Sequence, residues 1–445
     1  MKLIINGESV TSGSIVLGGG STITSISITT PPNKTRYKAG DTFDPTGMTA
    51  TATFSDGSTV SVSPDGMTYA PDGPLLVTDT SVTASFTFGG KTVTAQQSIT
   101  VVAVNIYGAE WDGTSTTAWS RTDDAAEFTD PVPYVAGAET YGSPFDTLQP
   151  WAGMVKENRT GGVMVKVPKF WYKLTQTGAK LKIQVADAET EGFVPSPMHM
   201  DRGDGKGERD VAYIARYHCA DDYKSKTGVK PRVNTTRANF RTGIHNLGAN
   251  IWQGDFEMTF TRWLLYIIEY ADWNSQAKIG YGCGNNSAVE NMGSTDSMPY
   301  HTGTIKASRT EYGVGVQYRY IEDPWGNCLD FYDGCYNNSS GFNIILNPNN
   351  FSDTTGGISV GIPSSGYPSA FSVKTGGGFP LFVPTEANGN DSIYSCDGWN
   401  FHASSPVVFG GGYCSQGGYL GLFCVNCASV SSAGANLGSR LQELP

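Results

Sequence analysis

Cys424 and Cys427 are separated by two residues, a spacing shared by half-sites for zinc and by redox dithiols. A zinc site needs a second such pair or two neighbouring histidines. The five histidines, His199, His218, His245, His301 and His402, are instead scattered along the chain. Free or incidental thiols are therefore expected, with no metal and no cofactor. Glu322 and Asp323 are adjacent carboxylates, but neighbours on a strand point to opposite faces, so a role in a turn is expected rather than an acid–base pair. The segment from Asp201 to Asp210 contains acidic residues at loop-like spacing. It lacks the closing Glu of a calcium loop and reads as a solvated turn. There is no phosphate loop or His-Glu-x-x-His helix. No catalytic residue is nominated, and the chain reads as a protein that is not an enzyme. His199, His218, His245 and His301 are expected to be structural or surface residues.

A different pattern stands at the end of the chain. From Asp391 to Leu441, rigid words alternate with runs of Tyr, Cys, Ser, Asn and His. The rigid words are Phe409-Gly410-Gly411, Gly421-Leu422-Phe423 and Gly438-Ser439-Arg440-Leu441. Tyr, Ser, Gly and Asn are favoured in adaptable binding loops, where they supply contact area and hydrogen bonds at low entropic cost. The stretch reads as a binding face on a fixed frame.

The elements that position this face follow from the whole chain. With 445 residues, 55 of them Gly, and only 16% charged, two or three strand-and-loop domains are expected. Lys plus Arg number 30 and Asp plus Glu 41, a net charge of −11. That balance argues against nucleic acid or an anionic membrane as the main partner. The first residues carry no apolar core of signal-peptide length, and no run approaches a membrane span. Synthesis in the cytoplasm without a signal peptide and no membrane insertion are the expectation.

Residues 1–21 read as an attachment segment ending in the flexible Gly18-Gly19-Gly20-Ser21. Residues 22–103 alternate polar and apolar positions, as in Thr51-Ala52-Thr53-Phe54 and Val82 to Phe88, with turn words such as Ser55-Asp56-Gly57-Ser58 between them. Short strands every ten or so residues predict a small β-sandwich. Residues 104–445 form the remaining domain. It holds a continuous strand-like run from Val163 to Lys173, a short helix from Thr235 or Thr236 to about Gly248, and a longer helix from about Phe256 to Trp273. Phe260, Trp263, Leu264, Ile267, Ile268 and Ala271 recur at helical spacing, so the longer helix is expected to be buried and to organise a core. A strand is expected over 313–320 and long packed loops over 337–380. Trp325, Gly326 and Asn327 read as an anchored tight turn.

Two resemblances sharpen this reading. The stretch Thr35 to Asp44, followed by Thr51 to Val62, resembles bacterial immunoglobulin-like repeats, which serve as spacers on surface and phage tail proteins. From about Tyr107 onward the chain resembles a family of phage tail proteins with a C-type lectin-like fold. The matching words are Val167-Pro-Lys-Phe-Trp-Tyr-Lys173, Arg262-Trp-Leu-Leu-Tyr-Ile-Ile-Glu-Tyr270, Asn274-Ser-Gln-Ala-Lys-Ile-Gly280, Tyr318-Arg-Tyr-Ile-Glu-Asp-Pro-Trp-Gly-Asn327 and Gly438-Ser-Arg-Leu441. The implied fold is mostly β with some α: an immunoglobulin-like β-sandwich followed by a C-type lectin-like α+β domain.

In variable members of that family, diversity-generating retroelements rewrite a C-terminal cassette, and the fold displays the rewritten residues to host receptors. The resemblance thus implies a phage tail receptor-binding protein or adhesin, resident in the virion tail and trimeric. It would recognise a host cell-surface protein or glycan and join other tail proteins through its N-terminus. The cassette corresponds to 391–441, and the implied receptor-binding residues are Tyr394, Phe401, His402, Tyr413, Cys414, Ser415, Tyr419, Asn426, Ser429 and Ser431. A structural virion decoration protein is the alternative. A second alternative follows from formylglycine-generating enzymes, which share the fold and use a copper-binding cysteine pair. Cys424 and Cys427 lack that family's surrounding sequence, so the activity does not transfer. The Glu-Pro-Asn, Gln-Pro-Asp and Trp-Asn-Asp words of calcium-dependent lectins are also missing.

Overall fold

The computed structural model describes residues 2–5, 8–11, 21–313, 315–392, 394–417 and 421–445. The chain forms two compact units, Met1–Val104 and Asn105–Pro445.

In the first unit, strands Ile23–Thr30, Thr49–Phe54 and Thr59–Val62 make one antiparallel sheet, and Thr68–Ala70, Ser81–Phe88 and Lys91–Ser98 make another. Alternation in the sequence translates directly into burial. Ala50, Ala52 and Phe54 point inward from the first sheet, and Val82, Ala84 and Phe86 from the second. Residues of both sheets meet in one core, where Phe54 and Phe88 pack edge to face at 5.2 Å. Strands Arg36–Lys38 and Thr100–Val102 pair in parallel at the side. This is a β-sandwich. The joint at Gly18 to Gly20 lies outside the described residues.

The second unit is built around a helix. Three α-helices occur among its described residues: α1 (Arg237–His245), α2 (Phe256–Tyr270) and α3 (Ser275–Ile279). Asp255 caps α2 by accepting the Met258 amide at 2.7 Å, and all fifteen helical residues are buried. One side of α2 packs on strands Ile106–Trp111 and Lys180–Ala186 of a five-stranded sheet. The polar residues within α2 have uneven company. Tyr318 and Arg319 bond Glu269, whereas Nε and Nη1 of Arg262 have no partner.

Both helices expected from the sequence end earlier than predicted. Ala271 turns left-handed (φ 48°) and closes α2 before Trp273. Asp272 then accepts the Asn274 amide, and Asn274 caps α3. After His245, three-residue turns take over from α1. The run from Val163 to Lys173 is not one strand. It divides after Pro168 into Gly162–Pro168 and Trp171–Thr177, which belong to different five-stranded sheets. The strand expected over 313–320 shortens to Val316–Tyr318 because Arg319 and Tyr320 adopt positive φ and reverse the chain. Within 337–380, Gly341–Ile344, Ile358–Ser359 and Ala370–Lys374 are strands rather than loop. No described helix is long and apolar enough to cross a membrane.

Candidate functional site

The terminal stretch is held from below and behind. Strands Val407–Gly410 and Val425–Ala428 form an antiparallel pair, with Val407 opposite Ala428 and Gly410 opposite Val425. Leu329–Tyr332 lies on the other side of Val407–Gly410 and pairs in parallel with Leu437–Gly438. The chain then enters a second sheet, where Leu441–Glu443 sits between Val211–Ala215 and Ile251–Gln253. The last residues are thus interior strand, and they tie the terminal stretch to two sheets.

Arg440 fastens this junction. It is fully buried and donates to the carbonyls of Ala215 (3.0 Å), Arg216 (2.8 Å), Glu322 (2.8 Å) and Asp323 (3.0 Å). It also donates to the Asp330 carboxylate at 3.2 Å and to His218 Nε2 at 3.3 Å. Burial depresses the His218 pKa to about 3, so the ring is neutral and Nε2 can accept. Gly438 to Leu441 therefore acts as frame.

Helix α2 supports the same stretch from inside. Trp263 Nε1 donates to the Leu422 carbonyl at 2.7 Å, and Ser275 Oγ accepts the Leu422 amide at 3.0 Å. Phe423 packs on Trp263, Tyr266 and Trp273 with ring centroids 4.9–5.7 Å apart. Asp397 accepts the Phe423 amide at 2.8 Å. Burial raises the Asp397 carboxyl to about 7, against the opposing effect of that hydrogen bond. Two glycines permit these approaches. A Cβ on Gly410 would collide with the Cys424 carbonyl and the Tyr332 hydroxyl, and one on Gly421 with the Asp397 carboxylate.

The nominated residues divide over the ends of the strand pair. Phe401 and His402 precede Val407, and Ser429 and Ser431 follow Ala428, so these four share one end. Tyr413, Cys414 and Ser415 follow Gly410 at the other end. Three residue steps, about 10 Å, separate the two ends. Asn426 lies between them on the edge strand. His402, Ser415, Ser429 and Ser431 are exposed, and Phe401 and Asn426 are half-buried. Ser404 and the His402 ring share a hydrogen bond of 2.8 Å, and Ser429 is 3.1 Å from both Ser431 and Ser432. Among the described residues of 391–441, Asp391 carries the one exposed formal charge.

Three nominations change. Cys414 is buried beside Cys283, Cys328 and Val289, because the 411–417 loop folds back on the segment after α3, and it cannot present its thiol to a partner. Tyr394 and Tyr413 are half-buried against the core and offer only part of their rings. Tyr419 lies outside the described residues. Sequence reasoning also passed over Asn337 and Ser365. Asn337 donates to the Pro406 and Ser405 carbonyls at 3.0 and 3.2 Å, and Ser365 Oγ accepts the Phe401 amide at 3.2 Å. Both lie in the Gly- and Ser-rich region read as loops, where nothing in the residue types marks a contact with 400–406.

Other chemical candidates have structural roles. Burial raises the thiols of Cys424 and Cys427 above the ordinary range, which disfavours thiolates. Glu322 accepts the Gly293 amide at 2.5 Å and the Thr295 amide at 2.9 Å. Trp325 Nε1 donates to the Gly280 carbonyl at 3.1 Å, and Asn327 Oδ1 accepts the Glu290 amide at 2.8 Å. His199 is buried, with Nε2 2.9 Å from the Val167 carbonyl. Within the turn 201–210, Asp204 pairs with Arg209 and both side chains are buried, so that pair is not solvated. Among the described residues, no group of three His, Cys, Asp or Glu is placed to hold a metal.

Residues 30–87 match the model of a bacterial Ig-like domain, group 3. The match covers the middle of the first unit, so that β-sandwich is immunoglobulin-like. No curated protein matches the chain.

Proposed function

We propose that the second unit is the receptor-binding head of a phage tail protein, with a C-type lectin-like fold, that presents the 391–441 face to a host cell-surface protein or glycan. One observation carries the reading: within this stretch, structure and display are divided between different residues. Trp399, Phe409, Leu422, Phe423 and Arg440 are buried frame. Asn400, His402, Ser404, Ser415, Ser429 and Ser431 are exposed, and none of them is a carboxylate, lysine or arginine. Such an arrangement lets surface residues change without disturbing the core, as a retroelement-diversified cassette requires. The immunoglobulin-like unit would act as spacer, and the N-terminal segment would join other tail proteins. Three copies per assembly would convert weak single contacts into avidity. Binding of the full chain to a panel of bacterial cells, with and without replacement of the exposed residues, tests the proposal. Unchanged attachment and host range after replacement would favour the decoration role.

A further inference from the structure

We propose that a pocket beside the 411–417 loop binds a primary ammonium group, carried by a lysine side chain or an amino sugar. The pocket has a volume of about 440 Å³. Its wall is rich in acceptors: the carboxyls of Glu290 and Asp323, the amides of Asn286 and Asn291, and the Ser294 hydroxyl, facing one cation, Lys230.

Asp323 is the decisive residue. It is only 3% exposed. One carboxyl oxygen accepts from Asn327 Nδ2 at 3.0 Å, and the other, Oδ1, has no donor in good hydrogen-bond geometry, although the Val316 backbone amide is close enough to favour the charged carboxylate. A Cβ placed on Gly315 would stand 2.8 Å from Oδ1 and would also crowd Ser294 Oγ. Because Gly315 has no side chain, this oxygen stays open to the pocket that Gly315 and Ser294 line. A buried acceptor without a well-placed donor is unfavourable, and a donating ligand would recover that loss.

An ammonium has three donors and no acceptor, and it matches Oδ1, the Glu290 carboxylate and an amide oxygen. Charge assistance makes such bonds roughly twice as strong as neutral ones. Burial, and then the neighbouring Glu322, raise the Asp323 carboxyl above the carboxylate range, a perturbation that a bound cation opposes. The volume exceeds that of an ammonium alone and falls in the range of small-molecule sites, about 300–1,000 Å³. The pocket is tied to the terminal stretch, since Asn286 donates to the Cys414 carbonyl at 2.5 Å and Cys414 donates to the Asn327 carbonyl at 3.1 Å.

Calorimetric titration of the full chain tests this inference independently of any host cell. The probes are Nα-acetyl-lysine methylamide, glucosamine and, as a neutral counterpart, glucose. At least one ammonium probe should bind and glucose should not, and the probe that binds identifies the source. Glu290→Gln, at an exposed position, should weaken binding by about tenfold or more, as should Asp323→Asn. The proposal is overturned if neither ammonium probe binds, if glucose binds as well as glucosamine, if both variants bind unchanged, or if calcium displaces the probe completely.

Discussion

Replacing Arg440 by Met should unfold the second unit or bring it close to unfolding. The guanidinium holds four backbone carbonyls and the Asp330 carboxylate, and none of these acceptors is solvent-exposed. Breaking one partner from a buried ion pair costs about 3–5 kcal/mol. Each carbonyl left without a donor adds about 1–3 kcal/mol, although such losses do not sum fully. A loss of at least about 5 kcal/mol is expected, comparable to the entire stability of an ordinary domain. Arg440→Lys keeps the charge but has three donors instead of five and should lose less. All nine tryptophans lie beyond residue 104, so tryptophan fluorescence during urea unfolding of the full chain reports this unit alone. A change below about 1 kcal/mol for Arg440→Met would refute the fastening role.

Three further outcomes follow from the same stretch. Asp397 has a folded pKa raised to about 7. Its contribution to stability is therefore complete below the unfolded value near pH 4 and is lost as pH rises through 7, by up to about 4 kcal/mol. Asp397→Asn should flatten that part of the stability–pH curve measured by urea unfolding, and an unchanged slope would contradict the assignment. Gly421→Ala should destabilise by about 1–3 kcal/mol, because its Cβ collides with the Asp397 carboxylate. Thermal unfolding of Gly421→Ala with Asp397→Ser should show part of that loss recovered, whereas full additivity would place the clash elsewhere.

Regular periodicity made much of the architecture legible. Ala50, Ala52 and Phe54 alternate and form a sandwich strand, and the apolar stripe of α2 exceeds one face because the helix is buried all round. Helix ends were less legible, since Ala271 and Asp272 close α2 through local backbone geometry while the apolar pattern continues to Trp273. In the terminal stretch, glycine words marked the frame correctly in type. They gave no indication that Arg440 would reach carbonyls more than 100 residues away in sequence. Cys414 resembled its exposed neighbour Ser415 in sequence, and only the fold-back onto Cys283 and Cys328 separates them. Asp323 appeared as half of an acidic pair in a turn. Its open oxygen depends on Gly315, eight residues earlier, and no residue spacing reveals that.

The most direct test of the central proposal replaces Asn400, His402, Ser415, Ser429 and Ser431 together by alanine in the full chain. Attachment to bacterial cells is then measured beside the unfolding midpoint. A cell that binds the unmodified chain should show no attachment by the variant, and the unfolding midpoint should stay unchanged. Attachment that survives with the midpoint intact would place recognition away from the terminal face and contradict the proposal.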